Sequence, residues 1–212
     1  MIKTRKELNF YIAADRIMNG KSPKKNAKDI LFDRFIIGGI ILEYLYAMRK
    51  VAYYSNVGKN KNILHHIKYL YWAYRFQKLS LKLGFTIGYN VLGYGVVIPH
   101  PGTIVLGLSN RIGNFAVLNT CTCLQDNGKI IGDGFYLATG VKMTKKVVLG
   151  NNVSVGANSL VNKEIYGDNI MIAGSPAKFI KESPAWYVRD GETYYNRVQQ
   201  VKELYASMFL KQ

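Results

Sequence analysis

From residue 106 onward, aliphatic side chains return at every sixth position: Leu106, Ile112, Leu118 and Leu124, then Ile131, Leu137, Met143, Leu149, Val155 and Val161. Ten hits with a single seven-residue step, from 124 to 131, are hard to obtain by chance. A small or short polar residue generally follows, as at Gly107, Gly113, Asn119, Gly132, Ala138, Gly150 and Gly156. A helix keeps one face at about 3.6 residues and a plain strand alternates at about two, so neither sustains this period. A coil of short strands that turns at small residues does, with the aliphatic residues stacked inward from coil to coil. Such a coil buries its inner face only against its neighbours, so the array needs several coils and atypical ends. Residues 85 to about 177 supply roughly five coils of about eighteen residues. An earlier set, Leu92, Ile98 and Ile104, runs in another phase, offset by two residues at the Ile104–Leu106 junction.

Before residue 84 the apolar spacing is helical instead. The segment 8–18 carries Leu8, Tyr11, Ile12 and Ala14 along one side. The stretch 28–54 reads as one or two longer helices, loosened at Gly38-Gly39, and 62–84 as another, closed by a glycine where a helix end favours one. The Tyr/Trp stripe of that last helix predicts packing against a neighbouring helix. His65 and His66 are adjacent and face different ways, which makes a poor metal pair. The terminal segment 183–212 reads as a loop and a capping helix.

Charge is as uneven as texture. The net charge is +16, and residues 1–84 hold 17 Lys/Arg against 5 Asp/Glu. A basic, aromatic-rich half suits nucleic acid, an anionic membrane face or a phosphorylated ligand, and equally a solvated surface with no specific partner. No basic region with heptads and no RNP-like aromatic pattern accompanies it, so nucleic acid is not expected as a partner. Peripheral contact with a membrane stays open. The longest apolar run, FIIGGIIL, has eight residues, short of the roughly 18 that a spanning helix needs. The basic start lacks an apolar core behind it and does not read as a secretory signal, so the expected location is the cytoplasm. Cys121 and Cys123 read as small apolar fillers, and no metal site is expected from two thiols and scattered histidines.

One stretch remains, VVIPHPGTIVLG, in which His100 stands between Pro99 and Pro101. The prolines fix the backbone on both sides and remove amide donors, which suits a ring held at a set angle on a turn. By itself this says nothing about chemistry.

With these pieces together, the chain resembles the hexapeptide-repeat acyltransferases, in the serine acetyltransferase branch that includes relatives in polysaccharide gene clusters. The carriers are HPGTIVLG (100–107), RIGNFAVLNT (111–120), LGNNVSVGANSLVNK (149–163) and IAGSPAKFI (172–180). The resemblance covers almost the whole chain, strongly over 92–180. It implies an α+β protein: an N-terminal α-helical domain (1–84), a left-handed parallel β-helix of about five coils (85–180), and a C-terminal loop and helix (181–212). It implies acetyl-CoA as substrate, no metal, and a homotrimer with the cofactor in the groove between subunits. His100 falls on the family's general base. Ala138, Thr139, Gly140, Gly156 and Ala157 fall on the coils that contact the cofactor, where coil-corner geometry alone is an equal reason for the glycines and alanines. Lys178, with Lys145 and Lys146 beside it in coil register, is assigned to the nucleotide phosphates.

Two departures bear on the acceptor. The family orients its histidine with a carboxylate about fifteen residues upstream, whereas no acid lies between Glu43 and Asp126 here. Serine acetyltransferases also grip the amino acid with an Arg-His-Pro segment after the middle coils, and the loop 123–134, CLQDNGKIIGDG, has neither Arg nor His. The expected activity is therefore acetyl transfer to a hydroxyl of a saccharide or polysaccharide precursor. The alternatives are serine O-acetylation in cysteine biosynthesis and a non-catalytic solenoid binding module.

Overall fold

Helices lead into the coils. The computed structural model describes residues 1–26, 29, 31, 33, 35–58 and 62–210. Helix α1 (Arg5–Met18) opens on a capping box: Thr4 Oγ1 accepts from the Glu7 amide while the Glu7 carboxylate accepts from the Thr4 amide. Helix α2 spans Ile37–Asn56 and α3 spans Ile63–Leu83. Of the predicted stretch 28–54, residues 28, 30, 32 and 34 lie outside the described residues. Gly38 and Gly39 do not loosen α2 but sit in its first turn, where a side chain on Gly39 would run into the backbone of Asp33. Helix α3 ends at Gly84, whose φ of 77° is the left-handed turn a helix terminus favours.

The coils follow as thirteen short strands in three sheets. The first sheet stacks β1 (Phe85–Ile87), β2 (Ile104–Leu106), β5 (Thr122–Leu124), β8 (Lys142–Met143) and β11 (Leu160–Val161). The second stacks β3 (Arg111–Ile112), β6 (Ile130–Ile131) and β9 (Val148–Leu149). The third stacks β4 (Val117–Leu118), β7 (Tyr136–Leu137), β10 (Ser154–Val155) and β12 (Ile170–Gly174), and β13 (Ala177–Glu182) closes it. Every pairing is parallel except β12 with β13, an antiparallel hairpin that covers the last open edge of that sheet. The result is a parallel β-solenoid of about five turns with helices at both chain ends.

The six-residue period is the inner lining of this solenoid. All ten aliphatic residues of the series are at most 4% exposed. Burying each one stabilises the stack by about 1.5–3 kcal/mol relative to exposure. Both phase slips are extra residues at corners. Val97 aligns with Val117 and Ile104 with Thr122, so the first coil holds two more residues between these points than the second. Those extra residues belong to the corner that carries His100. Leu124 aligns with Met143 and Ile131 with Leu149, which puts the other extra residue in the Asp126–Lys129 corner.

The ends are covered unequally. Ile41, Leu45 and Met48 of α2 share one core with Phe85, Val91 and Leu92, so this helix closes the first coil. The C-terminal segment forms α4 (Trp186–Arg189), α5 (Glu192–Tyr205) and a π-helical turn, Ala206–Leu210. It lies against α1 and the flank of the third sheet rather than over the last coil. There Trp186, Val198 and Val201 pack with Phe10, Val117 and Phe115, and the Trp186 indole donates to the Phe115 carbonyl at 2.8 Å.

Candidate active site

His100 stands exposed on the edge where the third sheet turns into the first. Its corner is anchored from below. The Gly102 amide donates to the Leu83 carbonyl at 2.9 Å, and the Ile104 amide donates to the Gly84 carbonyl at 3.2 Å. Gly102 has φ 140°, and a side chain there would crowd Thr120 of the next coil. Among the described residues none hydrogen-bonds or ion-pairs with the imidazole, so within one chain its direction is set by Pro99, Pro101 and this anchored turn.

The same edge gathers the residues assigned to the cofactor. On two of the three edges, in the middle coils, an inward aliphatic residue is followed by three corner positions, the third of which has positive φ. On the His100 edge these triplets are Asn119-Thr120-Cys121, Ala138-Thr139-Gly140 and Gly156-Ala157-Asn158, and Cys121, Gly140 and Asn158 have φ of 62°, 80° and 55°. On the edge between the second and third sheets they are Gly113-Asn114-Phe115, Gly132-Asp133-Gly134 and Gly150-Asn151-Asn152. Thr139 and Ala157 are exposed, while Ala138, Gly140 and Gly156 are partly so.

The two edges treat the middle amide of the triplet in opposite ways. Between the second and third sheets, the amides of Asn114, Asp133 and Asn151 donate to the side chains of Asp133, Asn151 and Asp168 at 2.6–2.9 Å. The glycines at 113, 132 and 150 make room for those caps, since a side chain at each would meet the capping oxygen. On the His100 edge the corresponding residues are Thr120, Thr139 and Ala157, and among the described residues nothing accepts from their amides. The edge thus presents a row of unspent N–H donors, one per coil and about 4.8 Å apart. Such a row suits the amide-rich arm of a thioester cofactor or a developing oxyanion.

The lysines divide. Lys178 lies exposed on β13 opposite Ala173, which stacks on Gly156, so it stands at the far end of the His100 edge. Lys145 and Lys146 are exposed on the following corner, between β8 and β9, so they do not join Lys178. Sequence spacing missed Lys142 of β8, whose ammonium donates to the Cys121 carbonyl at 2.5 Å and to the Gly140 carbonyl at 3.3 Å. Neither cysteine is an apolar filler: Cys121 is exposed in a left-handed turn and Cys123 half-buried on the first sheet. The turn requires that conformation, which the next coils meet with Gly140 and Asn158. The signal available in the sequence was the alternation of Asn/Asp with Thr/Ala at the middle triplet position.

The loop 123–134 is spent on itself. The Asp126 carboxylate accepts from the Ser109 hydroxyl and, at 2.7 Å, from the Ser109 amide. The Ser109 hydroxyl leads the contacts that hold this carboxyl below the usual carboxylate range. Lys129, its single cation, is fully buried and donates to the Gln125 carbonyl at 2.8 Å and to Asn127 Oδ1 at 2.5 Å. Burial pulls its pKa down. A cavity of about 700 Å³ lies elsewhere, among α1, α2, α3 and the C-terminal segment. Among the described residues no cluster of His, Cys, Asp and Glu is placed to hold a metal, and no helix is long and apolar enough to cross a membrane.

No protein-family model matches the chain. It is 41% identical over 59 residues to the putative lipopolysaccharide biosynthesis O-acetyl transferase WbbJ of Escherichia coli K12, a match covering 28% of this chain and 30% of that protein. It is 28% identical over 126 residues to a serine acetyltransferase of Staphylococcus xylosus, covering 53% and 56%. The chain therefore matches under a third of the length of the first of these curated relatives and little more than half of the second. A serine acetyltransferase solved in complex with CoA superimposes with a TM-score of 0.56 at 18% identity, over 80% of this chain and 68% of that one.

Proposed function

We propose that this chain, whose curated relatives and solenoid are those of the hexapeptide-repeat acyltransferases, is an acetyl-CoA-dependent O-acetyltransferase with His100 as general base. One observation carries the reading: the edge that holds His100 is the edge whose middle amides are left uncapped. The imidazole takes the acceptor's hydroxyl proton as the oxygen attacks the thioester carbonyl. Free N–H groups of Thr120, Thr139 and Ala157 donate to the carbonyl oxygen as negative charge develops on it. As the tetrahedral species collapses, the CoA sulfur leaves with the electron pair and His100 returns its proton to it. A base positioned in this way contributes about 10²–10⁴-fold.

The edge is open in a single chain, and an exposed imidazole beside bulk water neither excludes water nor holds two substrates. A second subunit supplies the missing wall, and we assign the working form to a homotrimer in which each groove pairs the His100 edge of one chain with the flank of the next. Ala138, Thr139, Gly140, Gly156 and Ala157 then line the acetyl-CoA groove, with Lys178 toward the phosphates.

The acceptor in this reading is a saccharide hydroxyl. Loop 123–134 offers no cation to a free amino acid, because Lys129 is buried and held by its own loop. The relative named for lipopolysaccharide biosynthesis supports the same class. L-serine is the second reading, favoured by the longer match to the staphylococcal serine acetyltransferase. The test is thiol release from acetyl-CoA against L-serine and a panel of sugars and glycans, with wild type and His100→Ala. The mutant should lose at least about 10²-fold in kcat while retaining acetyl-CoA affinity. A mutant that keeps most of its kcat overturns the assignment.

A further inference from the structure

Helix α3 is 21 residues long, and only Leu83 is buried. One side packs on α2, through ring contacts of Tyr46 with Trp72 at 5.3 Å and Tyr44 with Phe76 at 5.2 Å. The opposite side carries Ile63, Ile67, Leu70, Tyr74 and Leu81, each at least 52% exposed. Their spacings of four, three, four and seven put them in one stripe along the helix. The contacts of Tyr46 with Trp72 and Tyr44 with Phe76 make α2 and α3 antiparallel, which brings Phe35 and Ile37, 81% and 57% exposed, to the Leu81 end of α3. A continuous apolar strip of this length on a surface marks a place where something docks.

The charges around it identify the occupant. Helix α3 contains no Asp or Glu. Lys68, Arg75 and Lys82 follow one border of the stripe and Lys78 lies within it. A second copy of the same face would bring Lys68, Lys78 and Lys82 against their equivalents, while Glu43 of α2 is already shared between Arg75 at 3.6 Å and Lys25 at 3.9 Å. An anionic surface with an apolar interior matches both features at once: acyl chains accept Ile and Leu, headgroups accept Lys and Arg, and tyrosines suit the boundary between them. The excess of 17 Lys/Arg over 5 Asp/Glu in residues 1–84 has the sign needed to draw this half of the molecule to such a surface. We propose that the outward face of α3 is a docking surface for an anionic lipid bilayer, on which the helix lies in the plane of the membrane. The contact is peripheral, since no described helix is long and apolar enough to cross.

The test is flotation of the full chain with phosphatidylcholine vesicles, with and without phosphatidylglycerol. Ile67→Asn/Tyr74→Ser and Lys78→Glu are the variants, and Lys202→Glu on α5 is the control. The wild type should float with the phosphatidylglycerol vesicles and stay behind with pure phosphatidylcholine. Both α3 variants should weaken partitioning about tenfold or more, with circular dichroism unchanged and Lys202→Glu close to wild type. Equal losses in the control and Lys78→Glu would reduce the effect to net charge and overturn the proposal. So would failure of the wild type to bind. A fall in lipid-free assembly mass for Ile67→Asn/Tyr74→Ser, read by sedimentation, would reassign the face to a contact between copies.

Discussion

The Arg49 guanidinium closes on the Asp15 carboxylate, with Nε 2.9 Å from Oδ2 and Nη2 3.2 Å from Oδ1, and the two side chains are 1% and 3% exposed. Arg49 also donates to the Leu92 carbonyl at 2.8 Å and the Gly93 carbonyl at 2.5 Å, while Asp15 accepts from the Val96 amide at 3.0 Å. This pair ties α1, α2 and the first coil together, and it satisfies backbone groups that the coil stack leaves without a neighbour at its end. Arg49→Met should therefore cost about 3–5 kcal/mol, because it leaves a buried carboxylate and two carbonyls unmatched. Asp15→Asn should cost less, since the amide keeps one acceptor. Denaturant unfolding of both variants is the measurement, and a loss below 1 kcal/mol for Arg49→Met would contradict this role.

The Ser109–Asp126 contact predicts a pH effect confined to the corner of loop 123–134. The folded carboxyl titrates below its ordinary value, led by the Ser109 hydroxyl and followed by the Ser109 amide. A depressed folded pKa gives stabilisation that is present above the unfolded value, about 4, and is lost as pH falls through the lower folded value. Ser109→Ala should move the Asp126 carboxyl back up toward 4 and bring the loss of this corner to higher pH. Carbon-detected titration of the Asp126 side chain reads this directly, and an unchanged pKa in the variant would exclude the hydroxyl as its cause.

The coils were legible because a solenoid writes its cross-section into the sequence: each inward position must be aliphatic, and each slip from six marks a longer corner. The offset read at the Ile104–Leu106 junction is placed by strand register in the preceding corner, the one that carries His100. What periodicity does not encode is which charge goes inside. Asp15 and Arg49 sit on helices that read as ordinary amphipathic segments, and their pairing over 34 residues depends on where α1 crosses α2. The placement of Lys145 and Lys146 failed for a related reason. Register along a coil does not say which edge a residue occupies unless the triplets are counted from each inward aliphatic residue. The outcome at Cys121 shows the same limit, since a left-handed corner is obvious where it holds glycine and hidden where it holds cysteine.

The row of uncapped amides separates cofactor contact from corner geometry. Ala157 is exposed at the middle of its triplet, so a larger side chain there meets solvent rather than the core. Ala157→Trp should leave the unfolding free energy within about 0.5 kcal/mol of wild type. It should also weaken acetyl-CoA binding by about tenfold or more by occupying the groove. Calorimetric titration with CoA provides the readout. Unchanged affinity would place the cofactor on another face and leave the glycine and alanine pattern as turn geometry alone.

The acceptor prediction rests on where the cations of the middle coils point. A free serine brings a carboxylate into the groove, and a carboxylate held without a partner in a closed site costs several kcal/mol, enough to lower kcat/KM by about 10² or more. Loop 123–134 has one cation, and Lys129 is buried and bonded to Gln125 and Asn127. Lys142, on the adjacent strand, is engaged with the carbonyls of Cys121 and Gly140. Releasing either to meet serine would break the corner it holds. A neutral sugar asks for no such rearrangement, since its hydroxyls can accept from free amides and donate to carbonyls along the same edge. L-serine should therefore be acetylated with kcat/KM at least about 10²-fold below the best glycan acceptor of the panel. A serine value of about 10⁴ M⁻¹s⁻¹ or more would overturn the sugar reading and restore the amino acid as substrate.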